Sequence, residues 1–210
     1  MKTRFLTRSL LVLLTLGMAV LTSCSKDDDP TPAAPKEYRF LNPNTYTIPD
    51  DAFAEVASPI TVSGIPQGAK INDILVSVQI GHSWVGDLSI WLIAPDGQTR
   101  VGLMDRPGVP AILQGSAAQL SVNNTYSFAD SATASSEQMG EGSYSDIPSG
   151  SWHPSWDNEL DPPAYNNFPG FISALPADVN GEWKLYIRDS SGDAAGGSFL
   201  NVQLVITAQQ

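Results

Sequence analysis

From residue 74 onward, apolar and other residues alternate in short rows. Ile74, Val76, Val78 and Ile80 alternate with Leu75, Ser77 and Gln79, and Leu88, Ile90 and Leu92 with Ser89, Trp91 and Ile93. Near the end, Trp183, Leu185 and Ile187 alternate with Lys184, Tyr186 and Arg188, and Leu200, Val202, Leu204 and Ile206 form a last row. A period of two places each set on one face of a strand. No helical period persists beyond the N-terminal segment. Glycine (17) and proline (16) are spread along the chain, which favours a sandwich or barrel. Pro95-Asp96-Gly97 between two apolar rows predicts a tight turn. Ser190 to Gly197 reads as a hairpin loop joining the last two strands. Gln114 to Asn180 is polar and irregular, so long loops with one or two short strands are expected there. No internal repeat is evident.

The N-terminus follows a different pattern. Lys2, Arg4 and Arg8 precede an apolar stretch from Leu10 to Leu21, and Leu21-Thr22-Ser23-Cys24 follows the form of a lipoprotein processing site. Residues 1–23 therefore read as a secretory signal, because the apolar run of about 12 residues is shorter than the ~20 that span a bilayer. Cys24 is the expected lipidation site; it is the only cysteine, so no disulfide can form within the chain. Residues 24–38 read as an acidic, proline-rich tether and 39–210 as one domain. Ser25-Lys26-Asp27-Asp28-Asp29 resembles the signal that Bacteroidota place beside the lipidated cysteine to send lipoproteins to the outer cell surface, although a plain polar linker has the same composition. The expected location is the outer membrane or cell surface.

Charge narrows the partners. Removing residues 1–23 takes away three positive charges and no negative one, moving the net charge from −11 to −14. That balance argues against nucleic acid and suits divalent cations or simple solubility.

A set of motifs in order resembles the P domain (P/Homo B domain) of the proprotein convertases and related bacterial proteases. The pieces are Ile48-Pro49-Asp50, Ser58 to Val62, Val76 to His82, Gly86-Asp87-Leu88, Leu92 to Gly97 and Tyr126 to Asp130. Phe168-Pro169-Gly170, Asn180 to Leu185, Asp189 and Gly192-Asp193 complete the series, which covers roughly 40–210. The resemblance implies an all-β, jelly-roll β-sandwich of about eight strands, like a galactose-binding domain, with Trp183 in its core. It implies that Gly86 and Gly97 allow backbone turns that a Cβ would obstruct. It also implies a module that, in the convertases, follows a subtilisin-like catalytic domain and stabilises it. Residues 139–167 depart from the family by being longer and more aromatic, and Val202 stands where a second tryptophan is common.

The chemistry-bearing residues are few. A Ser-His-Asp triad needs a histidine between a carboxylate and a serine, and only His82 and His153 are present. His82 falls at a strand end and His153 in the irregular region with no nucleophile motif beside it, so no catalytic residue is assigned. No catalytic domain is expected within the chain. Asp87, Asp189 and Asp193 are candidate calcium ligands, since loops at one end of a sandwich can pool oxygens; the same aspartates could simply cap local turns. Zinc is not expected. Trp152, Trp156 and Tyr165, among Asp157, Glu159 and Asp161, could form a stacking platform for a sugar or a protein, or fold back to cap the sandwich. Three functional readings follow. The first is a non-catalytic lipid-anchored interaction or stabilising module, partnered by an exported protease or another envelope protein. The others are residual serine-peptidase activity and glycan binding.

Overall fold

A computed structural model describes residues 33–51, 54–109, 114–156, 165–192 and 196–210. The signal segment, Cys24 and most of the tether lie outside these residues, as does Asp193.

The alternating rows become strands. In chain order these are β1 (Lys36–Asn42), β2 (Tyr46–Ile48), β3 (Glu55–Val62), β4 (Lys70–Gly81), β5 (Leu88–Ile93) and β6 (Arg100–Asp105). They continue with β7 (Thr125–Phe128), β8 (Gly150–Trp152), β9 (Gly181–Asp189) and β10 (Gly197–Gln209). One short helix, α1, spans Phe168–Ala174. One sheet runs β1-β10-β4-β7-β8, with β2 also on β10, and the other runs β3-β9-β5-β6. All pairs are antiparallel except β7 with β8. The all-β sandwich is as expected, with ten strands among the described residues.

Register explains the core. In one sheet Val76 faces Leu204 and Ile74 faces Ile206; in the other Ile60 lies beside Trp183, Leu92 beside Leu185 and Ile90 beside Ile187. All of these side chains are buried in one cluster. Trp183 is fully buried, its Nε1–H donating to the Val179 carbonyl at 2.9 Å and its ring meeting Phe171 edge-on at 6.0 Å. An indole so placed combines a large apolar area with a satisfied donor. Val202, at the position of the missing second tryptophan, is also buried.

The structure differs from expectation at the connection after β9 and in the irregular stretch. The first strand begins at Lys36, three residues before the boundary read from sequence, because Lys36 to Tyr38 already pair with Ala208 to Ile206. Ser190 to Gly197 does not close a hairpin. β9 pairs with β3 and β5, whereas β10 pairs with β1, β2 and β4 in the other sheet, so this segment crosses between layers. Gly97 is as expected: its φ of +71° is a turn conformation that a Cβ disfavours, although the space around it is open. The irregular stretch contains α1, started by the Asn167 side chain accepting the Gly170 N–H at 2.8 Å.

Candidate functional site

Two apolar rows each end in a polar residue, and those ends meet. The inward positions of β4 are Ile74, Val76, Val78 and Ile80; two residues further is His82. On β9 they are Trp183, Leu185 and Ile187; two residues further is Asp189. His82 Nε2 and Asp189 Oδ2 are 3.1 Å apart, with both side chains fully inaccessible. Asp189 Oδ1 accepts the Ser191 N–H at 2.9 Å. His82 Nδ1 lies 3.2 Å from the Trp84 N and 2.9 Å from its O. With Nε2–H donating to Asp189, a neutral ring accepts from the Trp84 N–H. Both ring nitrogens are therefore engaged, one by a carboxylate and one by backbone, and among the described residues neither bonds a serine hydroxyl. His153 is more open, its side chain 40% exposed: Nδ1 lies 2.8 Å from the Pro154 carbonyl and Nε2 is 3.6 Å from Asp130.

Two of the aspartates proposed as metal ligands, Asp87 and Asp189, are described. Asp87 and Asp189 are neighbours, since Leu88 pairs with Asp189 and the Ser190 N–H donates to the Asp87 carbonyl at 2.8 Å. They are two of the three proposed ligands; the third, Asp193, lies outside the described residues. Both Asp189 oxygens hold protein donors, and among the described residues no group of three or more His, Cys, Asp or Glu is placed to hold a metal ion. Calcium needs 6–8 oxygens.

The three loop aromatics go to different places. Trp156 is 7% exposed and meets Trp91 edge-on at 6.1 Å, on the outer face of the β3-β9-β5-β6 sheet. Trp91 in turn stacks on Tyr186 at 5.4 Å, with the Arg188 guanidinium 5.6 Å from its ring. Trp152 packs beside Tyr126 at 5.9 Å on the other sheet. Tyr165 tilts against Phe171 at 6.5 Å, while its carbonyl accepts the Gly102 N–H at 2.9 Å on the edge of β6. Among the described residues they share no ring contact with one another. Each caps a different part of the sandwich.

A pocket of about 400 Å³ opens beyond the Val85–Asp87 turn, where no sequence motif had drawn attention. The segment 115–120 runs against 82–86: the His82 N–H donates to the Leu120 carbonyl at 3.0 Å, Val85 to Ala118 at 2.9 Å and Gly86 to Ser116 at 3.0 Å. Gly115 has φ +65°, and a Cβ there would come 2.6 Å from Gly86 Cα, so the two backbones touch as only glycines can. The wall opposite is the 3₁₀ turn Ser136–Gln138 and the loop after it. Glu137 fastens the two walls, its Oε1 accepting the Gly108 N–H at 2.8 Å. Trp84 is fixed by its Nε1–H donating to the Gln114 carbonyl at 2.7 Å. Tyr144, 82% exposed, stands at the rim with Glu141.

Residues 71–145 match the proprotein convertase P-domain family model. The match is narrower than the 40–210 read from sequence motifs. It begins at β4 and ends just beyond Tyr144, so the described pocket residues fall inside it, as does His82 but not Asp189. Leupeptin-inactivating enzyme 1 of Streptomyces exfoliatus is 42% identical over 78 residues. That stretch is 37% of this chain and 17% of the enzyme, so the similarity concerns a module of that protein and not its whole. The P-domain match supports a protease-associated module.

Sequence reading missed two features of this region. For the His82–Asp189 pair a signal existed: both residues continue an inward row by one more step. For the pocket the only signal was the run Gly140-Glu141-Gly142, whose partners at 84 and 115 come from other parts of the chain.

Proposed function

We propose that this chain is a non-catalytic, lipid-anchored surface module whose sandwich acts as an interaction or stabilising domain of the kind attached to subtilisin-like proteases. The observation that carries this reading is the P-domain match across the centre of the sandwich. It is supported by the state of His82, whose two ring nitrogens are engaged by backbone and carboxylate and not by a nucleophile. A general base must reach the proton it removes, and a fully buried His82 does not. Anchoring through Cys24 and a partner among exported proteases complete the proposal. Each buried lipid CH₂ contributes ~0.8 kcal/mol, so a doubly or triply acylated cysteine would hold the module at the membrane.

Two measurements test it. In detergent phase partition, the full chain is expected in the detergent phase and a Cys24→Ala variant in the aqueous phase; identical partitioning removes the anchor. Mixed with an exported subtilisin-like protease from the same cell, the chain is expected to raise that protease's melting temperature without cleaving casein alone. Casein cleavage by the purified chain that disappears in a His82→Ala variant of unchanged fold would establish the enzyme reading instead.

A further inference from the structure

We infer that the pocket between Trp84 and Tyr144 takes an arginine side chain presented by an extended peptide segment. The inference deepens the interaction-module reading and rests on it only for the origin of that segment.

Trp84 offers an indole whose position is set by its bond to the Gln114 carbonyl, and Tyr144 an aromatic ring left almost wholly in water. Aromatic faces attract cations, indole most strongly. A tyrosine this exposed gains little from the fold of its own chain. Glu141 supplies a carboxylate at the rim, and no lysine, arginine or histidine is among the described lining residues. The floor and the Glu137 wall are tied by backbone contacts through Gly86, Gly115 and Gly108, so the cavity is formed before any ligand arrives. A pre-formed site avoids the ordering cost of binding.

Charge complementarity selects the occupant. The chain carries a net charge of −11, which draws cationic segments and repels acidic ones. Among cations, guanidinium is planar and weakly hydrated, stacks on aromatic faces and pairs with carboxylates through a fork of donors. An ammonium does only part of this. A cavity of about 400 Å³ accommodates one long side chain and not a folded surface.

The test uses acetyl-Gly-Arg-Gly-amide and its citrulline counterpart, which keeps the shape and loses the charge. The purified full chain in detergent is titrated with each while amide and indole N–H signals are followed by NMR. Saturable shifts of the Trp84 indole N–H and the Gly142 and Tyr144 amides are expected, with a Kd on the order of 1 mM. The citrulline peptide is expected to bind about five-fold more weakly, and Tyr144→Ala and Glu141→Gln each to weaken the arginine peptide about three- to five-fold. Both positions are exposed, so unchanged Trp183 signals will certify that the variants are folded. Equal binding of the two peptides, shifts centred elsewhere, unaffected variants, or no saturable shift would each overturn the inference. None of those results touches the protease-stabilisation experiment, so the two failures are distinguishable.

Discussion

His82 and Asp189 are each the polar end of an apolar row, and their meeting joins the two sheets at one end of the sandwich. A buried charged or partly charged group is costly unless paired. Removing one partner is therefore expected to cost more than the pair itself contributes. Asp189→Ala should lower unfolding stability in urea by about 3 kcal/mol or more, whereas Asp189→Asn, which can still accept from His82, should lose less. An Asp189→Ala variant as stable as the parent would mean that the pair bears no load. The contact between Gly86 and Gly115 is as specific at the same scale. Gly86→Ala would push a Cβ to 2.5 Å from the Ser116 N, against backbone that cannot turn aside, and should cost about 1–3 kcal/mol in the same assay.

The turn between β5 and β6 shows how one element is secured. Asp96 Oδ1 accepts the N–H groups of Gln98 and Thr99, both at 2.9 Å, and Oδ2 accepts the Thr99 hydroxyl at 2.6 Å. Partial burial pushes its carboxyl up, but the Thr99 hydroxyl and the two N–H groups together outweigh it and hold the group below the usual aspartate range. A lowered folded-state value means stability present above the unfolded value and lost as pH falls through the folded one. Acidification through and below the ordinary aspartate range should loosen this turn, seen as faster exchange of the Gln98 and Thr99 amides, and Asp96→Ala should abolish that pH dependence. The group is exposed, so the whole effect should stay within about 1 kcal/mol. The outer aromatic stack is a second local device. Trp156→Ala uncovers Trp91 and should destabilise by about 3 kcal/mol, leaving arginine-peptide binding at the pocket, which Trp156 does not line, unchanged.

At the scale of the whole molecule, β10 is the hub: it pairs with β1, β2 and β4, and its inward residues Val202, Leu204, Ile206 and Ala208 are buried. The last strand in sequence is thus in the interior of the larger sheet. Truncation before Gly197 should abolish the cooperative unfolding transition in calorimetry, because it leaves β1 and β4 without the strand between them. Long-range pairing of this kind dominates the fold, with β1 meeting β10 and β3 meeting β9 across most of the chain. Such contacts repay their loop-closure entropy late, which points to folding in the slower range for single domains.

The strand rows and the Pro95-Asp96-Gly97 turn could be read from the chain because each depends on residues close in sequence, where a period of two or a turn dipeptide suffices, while the buried Trp183 followed from the resemblance to the P domain. Which strand pairs with which could not. Ser190 to Gly197 looks like a hairpin locally, and only packing of both sheets around one core sends β9 and β10 to opposite layers. Helix α1 is too short, at seven residues, for a helical period to register, and it exists because Phe168 and Phe171 are buried against the sandwich. The same holds for chemistry. The Trp84–Gln114 contact of the pocket and the His82–Asp189 pair join residues 30 and 107 positions apart; the rows show where His82 and Asp189 lie on their strands, but not that those strands meet.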